Sequence, residues 1–291
     1  MQLLGFKDYR DQGKRLAAAL DIEYREVEIH RFPDGESKVT LPIGLDKQII
    51  FCRSLDRPNN KLIELLLSVQ VARQQGVKHI TLAAPYLCYM RQDIAFHRGE
   101  AVSQKIIGQW LGELIDKIIT VDPHLHRIAR LDEAIPNTET VTLSATQLMA
   151  AFLATRPTQP VLLGPDAESE QWVKQIADET SLDWCVATKH RHSDHQVEIV
   201  LPPFDFAART VVIVDDVAST GRTIAGAVKQ LKNQHATAVN CLVTHPLFVD
   251  DAERVLANAG IHHVWSSDSI GHPSNAIELA PLLAAAIQRP T

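Results

Sequence analysis

The stretch RTVVIVDDVASTGRT at 209–223 restricts the fold of this chain more than any other segment. It begins with a run of apolar, mostly β-branched residues at 211–214, which predicts a strand buried on both faces, as in a parallel sheet. Asp215 and Asp216 follow where that strand is expected to end, and 224–231 has the periodicity of a helix with one apolar face. Because open α/β sheets bind ligands at the carboxyl ends of their strands, this stretch predicts a binding site.

The short loop between this strand and this helix has the composition of an anion site. It offers hydroxyl groups, a glycine and the N–H groups of a helix start, where the helix dipole favours a phosphate. The two aspartates can accept hydrogen bonds from vicinal hydroxyls, so the stretch predicts a bound ribose 5-phosphate. The residues expected to bind it are Asp215, Asp216, Ser219, Thr220, Gly221, Arg222 and Thr223. The alternative is a strand, a turn and an N-capped helix that bind no ligand.

Composition and charge argue against several classes of protein. The chain has 291 residues, of which 45% are hydrophobic and 22% charged, an ordinary balance for one large or two moderate globular domains. The net charge is -6, so the protein does not have the positive electrostatic field that is typical of a nucleic-acid binder. No apolar run is long enough to span a bilayer, and the amino terminus lacks the apolar core of a signal peptide. The 4 cysteines are far apart and suggest no disulfide framework, so we expect a cytoplasmic protein. From the charge and the short apolar runs, we expect no nucleic-acid or membrane partner.

Strand-like and helix-like segments alternate along the whole chain, which predicts an α/β fold with two tandem units. Each unit is expected to be a mostly parallel sheet flanked by helices. The segment 132–142 has little periodicity before Val141, so we place the domain boundary there. The predicted domains are 1–140 and 141–291. Strands are expected at 24–29, 37–41, 49–52, 79–83, 117–121, 161–163, 184–188, 211–214, 238–244 and 263–266.

Two polar segments of the first half are candidates for nucleotide binding. The sequence FPDGE at 32–36 is typical of a hairpin turn, and taken alone that interpretation is favoured. Phe32 can also stack on a base, and Asp34 and Glu36 can accept hydrogen bonds from an exocyclic amine. Arg91, in a loop after the strand at 79–83, can pair bidentately with a phosphate, although a surface ion pair is the commoner role of a lone arginine.

Three other segments are candidates for metal binding or charge neutralisation. His124 and Asp166 each follow a predicted strand, and imidazole and carboxylate groups can join a metal shell together with nucleotide phosphates. The alternatives are a hydrogen-bonded imidazole for His124 and a helix N-cap for Asp166. The cationic segment 189–195 is either a solvated hairpin or a lid that brings Lys189 and Arg191 over a triphosphate. Its three histidines could instead bind a metal.

Taken in order, these segments resemble the ribose-phosphate pyrophosphokinases, also called phosphoribosyl-pyrophosphate synthetases, of the phosphoribosyltransferase superfamily. The resemblance runs from about residue 5 to residue 274, whereas simple phosphoribosyltransferases resemble only the second half. It rests on FPDGE at 32–36, PYLCYMRQD at 85–93, VDPH at 121–124, GPD at 164–166, KHR at 189–191, the aspartate loop at 215–223, THP at 244–246 and SDSI at 267–270.

The resemblance implies two tandem phosphoribosyltransferase-type domains and a Mg²⁺-dependent reaction. The β,γ-diphosphoryl group of ATP would pass to the anomeric hydroxyl of ribose 5-phosphate, giving 5-phosphoribosyl 1-diphosphate and AMP. It also implies a homo-oligomer, in which the 32–36 hairpin reaches the ATP site of a neighbouring subunit. The implied roles are catalysis by Lys189 and Arg191, ATP binding by Phe32, Asp34, Gly35, Glu36, Arg91 and Gln92, ribose 5-phosphate binding by Arg191 with the aspartate loop, and metal binding by His124 and Asp166.

The chain departs from the family pattern at three positions. Pro123 stands where relatives mostly carry Leu or Ile, Ser219 where many synthetases carry Asp, and Arg222 where the loop usually has Gly. These departures leave the two loop aspartates intact. Two alternative functions stay open at this point. One is a phosphoribosyltransferase that consumes 5-phosphoribosyl 1-diphosphate, and the other is a non-catalytic regulatory relative of the synthetases.

Overall fold

The computed structural model describes residues 1–191 and 197–289, and within these ranges it leaves out the side chains at 190, 191, 197 and 198. The predicted lid therefore lies partly outside the described residues, and so does the side chain of Arg191. The described chain divides into two compact units. The first is Met1–Leu143 with Ser269–Gly271 and Glu278–Thr291, and the second is Ser144–Asp268 with His272–Ile277.

The first unit is built on a sheet of parallel strands with one antiparallel edge strand. Its strands are β1 (Gln2–Phe6), β2 (Tyr24–Arg31), β3 (Ser37–Thr40), β4 (Gln48–Cys52), β5 (His79–Ala83), β6 (Lys117–Val121) and β7 (Glu139–Leu143). Their spatial order among the described residues is β3-β2-β1-β4-β5-β6-β7, and only the hairpin pair β2–β3 is antiparallel. The helices are α1 (Arg10–Leu20), α2 (Pro58–Gln74), α3 (Ser103–Leu114) and the C-terminal helix Ala280–Gln288.

The central strands of this sheet are apolar because helices pack against the sheet. β6 is buried along its whole length, and in β4 only the first residue is exposed. In α2 the apolar positions Leu62, Leu65 and Val69 face the core, as their spacing predicts. Because all strands except β3 run in the same direction, their carboxyl ends meet at one edge of the sheet. The polar segments that follow these strands lie at that edge.

The second unit has an all-parallel sheet among the residues described. Its strands are β8 (Val161–Gly164), β9 (Trp184–Val186), β10 (Thr188–Arg191), β11 (Val197–Val200), β12 (Thr210–Ala218), β13 (Ala238–Pro246), β14 (His263–Ser267) and β15 (Asn275–Ile277). The sheet order is β15-β14-β13-β12-β8-β9, while β10 and β11 form a separate antiparallel hairpin. The helices are α4 (Thr146–Ala154), α5 (Glu170–Thr180), α6 (Arg222–Asn233) and α7 (Ala252–Ala259).

The predicted fold class, two α/β units with mostly parallel sheets, is confirmed. The sequence analysis did not predict β1, β7, β11, β15 or the C-terminal helix, and it gave β9 and the start of β10 as one strand at 184–188. The contacts group the C-terminal helix with the first unit, where it packs against α1, although the predicted second domain included it. The boundary after residue 140 stays a prediction about separately folding domains. Among the helices that the structure describes, none combines the length and the apolar character needed to cross a membrane.

Helix α3 lies so close to the segment before β7 that two of its positions have no room for a side chain. A Cβ atom at Gly108 would lie 2.0 Å from the carbonyl oxygen of Ala134, and one at Gly112 would lie 2.2 Å from that of Pro136. Both neighbours are backbone atoms, which cannot rotate away. The glycines of α3 are therefore required by packing.

We expect Gly108→Ala to lower the free energy of unfolding by about 1–3 kcal/mol, because the new methyl group forces the helix away from Ala134. Helix propensity alone predicts the opposite sign, since alanine is favoured over glycine in a helix by about 1 kcal/mol. Thermal and denaturant unfolding would measure the change, with Lys105→Ala on the exposed side of the same helix as the control. A stabilised Gly108→Ala variant would show that the contact is not rigid.

Candidate functional site

Asp166 opens the helical segment that follows β8 and holds two different donors. One carboxylate oxygen, Oδ1, accepts the backbone N–H of Glu168 at 3.1 Å and so caps a short turn that leads into α5. The other, Oδ2, accepts a hydrogen bond from Lys189 Nζ at 3.1 Å. The N-cap alternative for Asp166 is thus observed, and it leaves the second oxygen for charged partners.

Lys189 reaches Asp166 from the β10–β11 hairpin, where its backbone pairs with that of Ile199. Its side chain is 30% exposed and that of Asp166 is 17% exposed, so the pair lies at the rim of the unit rather than in its core. The structure therefore brings together a lysine and a carboxylate that are far apart in sequence. For the companion cation, Arg191, the structure describes the backbone but not the side chain.

Asp215 and Asp216 lie inside β12 rather than at its end, which corrects the sequence-based prediction. The strand continues to Ala218 because β13 is also longer than predicted, and residues 217 and 218 pair with 245 and 246. Asp216 is 4% exposed, and its backbone N–H donates to Asp215 Oδ1 at 3.0 Å.

The environment of Asp215 is strongly unfavourable for another negative charge. Burial raises the pKa of Asp215 well above its ordinary value, and the neighbouring carboxylates of Asp216 and Asp166 raise it further. Asp166, one of these three carboxylates, is paired with the ammonium of Lys189. Strongly shifted pKa values are frequent at functional sites, so this group of carboxylates is a candidate binding site.

The loop after β12 is short and its path is held by main-chain hydrogen bonds. The N–H groups of Phe248 and Val249 donate to the carbonyl oxygens of Ala218 and Ser219 at 2.9 and 3.1 Å. Gly221 then precedes the first residue of α6 with φ +68, a left-handed conformation. A Cβ atom at this position would lie 3.1 Å from Leu256 Cγ, so both conformation and space favour glycine.

The start of α6 has the features of an anion site. Among the described residues, no side chain caps this helix, so its first N–H groups face the loop. Thr220 and Arg222 are exposed, while Ser219 and Thr223 are half-buried. Backbone N–H groups, hydroxyls and the positive end of the helix dipole are thus found together, as the sequence predicted.

In the first unit, the segment 32–36 is the tip of the β2–β3 hairpin and is exposed throughout. The tip is closed by hydrogen bonds from the Phe32 N–H to the Glu36 carbonyl oxygen at 2.8 Å and from the Gly35 N–H to the Phe32 carbonyl oxygen at 3.0 Å. Asp34 Oδ1 accepts the N–H of Glu36 at 3.1 Å. The predicted hairpin is confirmed, and the aromatic ring of Phe32 is 41% exposed.

Arg91 and Gln92 lie in the long loop between β5 and α3. Arg91 is exposed, whereas Gln92 Oε1 accepts a hydrogen bond from Ser103 Oγ at 3.0 Å. The next residue, Asp93, is buried and accepts a hydrogen bond from Arg127 Nη1 at 2.6 Å. This ion pair joins the loop after β5 to the loop after β6.

His124 lies in the loop after β6, half-buried and three residues before Arg127. Asp122, the residue directly after β6, has φ +38, and its N–H donates to the carbonyl oxygen of Leu143 at 2.8 Å. The loop that carries His124 therefore begins with a sharp turn, and the Asp93–Arg127 pair ties it to the loop of Arg91 and Gln92.

The structure does not place all candidates of the first unit at one point of its sheet. The loops of Arg91 and His124 follow the adjacent strands β5 and β6, whereas the 32–36 hairpin extends from β2. Strands β1 and β4 lie between β2 and β5, so these parts are separated by three strand spacings, or about 14 Å. Residues 8, 53, 61 and 64 form an ionic network in this interval, in which all but Asp8 are buried.

The sequence analysis missed the residues of this network and the Asp93–Arg127 pair. A signal for the network was present in α2, where Lys61, Glu64 and Ser68 have the spacing of its buried face. Charged residues on an apolar helix face indicate buried partners. The identity of those partners follows from tertiary contacts between β4, α2 and the hairpin, which no local pattern shows.

Comparison with known proteins gives matches along nearly the whole chain. A family model described as the N-terminal domain of ribose phosphate pyrophosphokinase matches residues 1–114, and one described as the phosphoribosyl transferase domain matches residues 134–271. The ribose-phosphate pyrophosphokinase of Methanopyrus kandleri is 32% identical over 279 residues, which cover 95% of this chain and 94% of that relative. The chain belongs to the ribose-phosphate pyrophosphokinase family.

Other members of the ribose-phosphate pyrophosphokinase family agree with this assignment. Ribose-phosphate pyrophosphokinase 2 of Archaeoglobus fulgidus is 31% identical, with coverage of 93% of this chain and 94% of that relative. The crystal structure of phosphoribosylpyrophosphate synthetase from Mycobacterium smegmatis has a TM-score of 0.83 over 99% of this chain and 97% of that chain, at 23% identity. At this identity the likeness shows the fold alone. The match to the N-terminal domain separates the chain from simple phosphoribosyltransferases.

We expect Gly221→Ala to destabilise the second unit more than Gly44→Ala destabilises the first. Both glycines have a positive φ, +68 and +75, so both substitutions carry a left-handed cost of roughly 1–2 kcal/mol. Gly44 has open space around it among the described residues, whereas a methyl group at Gly221 meets Leu256 and adds about 1–3 kcal/mol. Unfolding of the two variants would measure the difference, and equal losses would show that α7 yields to the methyl group without cost.

Proposed function

We propose that this protein transfers the β,γ-diphosphoryl group of ATP to the anomeric hydroxyl of ribose 5-phosphate, giving 5-phosphoribosyl 1-diphosphate and AMP. The observation that carries the proposal is the convergence of Asp166, Lys189, Asp215 and Asp216 beside the start of α6, in a chain of the ribose-phosphate pyrophosphokinase family. Carboxylates next to a helix start suit a ligand that has hydroxyls at one end and a phosphate at the other.

The proposed ribose 5-phosphate site lies on β12 and the loop after it. Asp215 and Asp216 would accept hydrogen bonds from the ribose hydroxyls, and the N–H groups at the start of α6 would bind the 5-phosphate. Ser219, Thr220 and Thr223 add hydroxyl donors there. Arg222 and Arg191 are the proposed cations, and Gly221 lets the backbone approach the phosphate. Support comes from the half-buried position of Asp215 beside this loop and from the uncapped first turn of α6 in the described chain.

In the proposed reaction the anomeric oxygen attacks the β-phosphorus of ATP as its hydroxyl proton passes to solvent water. The bond between the β-phosphorus and the oxygen bridging to the α-phosphate breaks, and its electron pair leaves with AMP. Such a transfer needs little covalent chemistry from the protein, so catalysis consists mainly of positioning and charge stabilisation. The ammonium of Lys189 would stabilise the negative charge of the moving group, with Arg191 as its companion.

We propose that His124, in the first unit, and Asp166, in the second, hold or orient Mg²⁺ on the nucleotide. Mg²⁺ is commonly held by one or two side chains together with substrate phosphates and waters, and the carboxylate-rich edge around Asp166 suits a cation. Among the described residues, no group of three or more His, Cys, Asp and Glu could hold a metal by itself, so the nucleotide phosphates would supply the other ligands. When bound, the ion would neutralise phosphate charge.

A cytoplasmic location is proposed on the state of the cysteines. The thiols of Cys52, Cys88, Cys185 and Cys241 are all free in the structure. Free thiols, several of them buried, are typical of a reducing compartment.

The direct test is incubation with ATP, ribose 5-phosphate and Mg²⁺, followed by detection of AMP and 5-phosphoribosyl 1-diphosphate. We expect Lys189→Ala to lower kcat by about 100-fold or more while ATP binding changes little, because the ammonium acts mainly in the transition state. Lys174→Ala, an exposed lysine of α5, is the matched control and should retain full activity.

Near-normal turnover of Lys189→Ala would remove this lysine from the chemistry. No AMP from the unmodified protein, with pyrophosphate released when a base and 5-phosphoribosyl 1-diphosphate are supplied, would instead identify a phosphoribosyltransferase. Absence of both reactions would favour a regulatory relative.

For ATP we propose a site shared between two copies of the chain. Arg91 and Gln92 would bind the nucleotide in one subunit, and the hairpin tip with Phe32, Asp34, Gly35 and Glu36 would come from the other. The support within one chain is the sheet order, which puts β1 and β4 between the hairpin and the loop of Arg91. A shared site implies a homo-oligomer, at least a dimer with closed symmetry.

Mixing two inactive variants tests this arrangement. Glu36→Ala and Lys189→Ala affect different subunits' contributions to a shared site, so mixed dimers would regain one intact site in two. Random mixing in equal amounts should restore up to about a quarter of the wild-type activity. The control mixture, Asp215→Ala with Lys189→Ala, should stay inactive because both changes lie in the same unit. No recovery in the first mixture, or a fully active monomer in sedimentation, would exclude a shared site.

A further inference from the structure

The two ends of the 32–36 hairpin converge on one buried carboxylate. Arg31 is the last residue of β2 and Ser37 is the first residue of β3, and the two are partners in the strand register. Arg31 Nε donates to Glu64 Oε1 at 2.9 Å, and Ser37 Oγ donates to the same oxygen at 3.2 Å. Glu64 belongs to α2 and is 0% exposed. A single side chain from outside the hairpin thus contacts both of its strands at the point where the tip begins.

The second oxygen of this carboxylate is held by a rigid network. Glu64 Oε2 accepts a hydrogen bond from Arg53 Nη2 at 2.6 Å, and Arg53 is itself 1% exposed. The Arg53 guanidinium lies 4.3 Å from the ring centroid of Phe6, and its Nε donates to Asp8 at 3.2 Å. Lys61 Nζ also contacts Asp8, at 3.0 Å. Glu64 therefore has little freedom to move, and the hairpin ends are fastened to a fixed point.

The charge state of Glu64 suits this role. Burial alone raises the pKa of its carboxyl group, but hydrogen bonds from Arg31 and Arg53 together with their charges lower it below the ordinary value. The carboxylate is therefore ionised at neutral pH, and both of its oxygens accept hydrogen bonds. Ionised acceptors make stronger hydrogen bonds than neutral ones.

The hairpin needs an external support because of its place in the sheet. β3 is the edge strand, with β2 as its hydrogen-bonded neighbour in the sheet, and the tip beyond it is exposed. The hydrogen bonds within the tip define its shape, but they do not fix the direction in which the tip points. That direction depends on the two residues where the strands meet the tip. The contacts of Arg31 and Ser37 with Glu64 set that direction relative to α2.

We propose that Glu64 is a positioning residue, which clamps both ends of the 32–36 hairpin and so holds Phe32, Asp34 and Glu36 for ATP. The inference rests on the proposed function, because it assigns the hairpin tip to the nucleotide. Glu64 itself contacts neither substrate in this scheme. Its effect is to reduce the conformational freedom that the tip loses when ATP binds.

The test uses the double variant Arg31→Met Ser37→Ala, which removes both clamp contacts and leaves the buried Glu64–Arg53 pair in place. Glu64→Gln is the direct change, but it weakens a buried ion pair and can disturb folding. The matched control is Lys38→Met Thr40→Ala, which removes one positive charge and one hydroxyl from exposed positions of β3. Unfolding midpoints of the two variants should agree within a few degrees.

The first readout is hydrogen exchange of the backbone amides at 32–36, which does not depend on activity. We expect exchange to be at least tenfold faster in the clamp variant and within twofold of wild type in the control. The second readout is the split of kinetic constants. The clamp variant should raise KM for ATP about tenfold, leave KM for ribose 5-phosphate within twofold, and regain part of the loss when Arg31 is changed to Lys instead of Met.

Unchanged exchange in the clamp variant would overturn the clamp. Faster exchange with an unchanged KM for ATP would overturn the positioning role, since a merely structural contact moves the first readout alone. Failure of the proposed function is recognised separately, because the unmodified chain would then form no AMP. In that case the assignment of the hairpin to ATP falls with it, and the exchange data alone decide whether Glu64 clamps the hairpin.

Discussion

Parallel pairing of buried strands is the constraint on which the other features of this protein depend. A strand with helices on both faces of its sheet is buried along its length, as β6 is, and such strands are mostly apolar, so most polar groups lie beyond their ends. Parallel neighbours bring their carboxyl ends to the same edge. His124 after β6, Arg91 after β5 and Asp166 after β8 are all consequences of this geometry. β12 is the exception, because Asp215 and Asp216 lie within the strand.

The two units differ in how their charged residues are paired. In the second unit, burial raises the pKa of Asp215 well above its ordinary value, and the neighbouring carboxylates of Asp216 and Asp166 raise it further, while Asp166 is paired with Lys189. A strongly shifted pKa beside a loop marks a candidate binding site. The electrostatics therefore favour a ligand-binding role for this edge.

In the first unit the charges between the hairpin and the central strands compensate one another. Glu64 is paired with Arg53 and Arg31, Asp8 is paired with Arg53 and Lys61, and Lys61 is also paired with Asp56, so three cations face three carboxylates. The pKa values of Glu64 and Asp8 are lowered despite burial, which shows that their partners outweigh desolvation. A closed network of this kind is costly to break and has no charge left over for a ligand. It suits the support of neighbouring segments.

The sequence by itself determined the alternation of strands and helices, the two parallel sheets, the hairpin at 32–36 and the helix start after Gly221. These depend on local periodicity, on turn residues and on runs of apolar side chains, and they are visible in short windows. Only the tertiary structure decided that β12 continues past Asp216, that Asp166 caps a turn and also holds Lys189, and that the C-terminal helix packs on α1. It alone also revealed Glu64 as the common partner of Arg31 and Ser37. Each of these depends on contacts between residues far apart in the chain, whose energies no local pattern encodes.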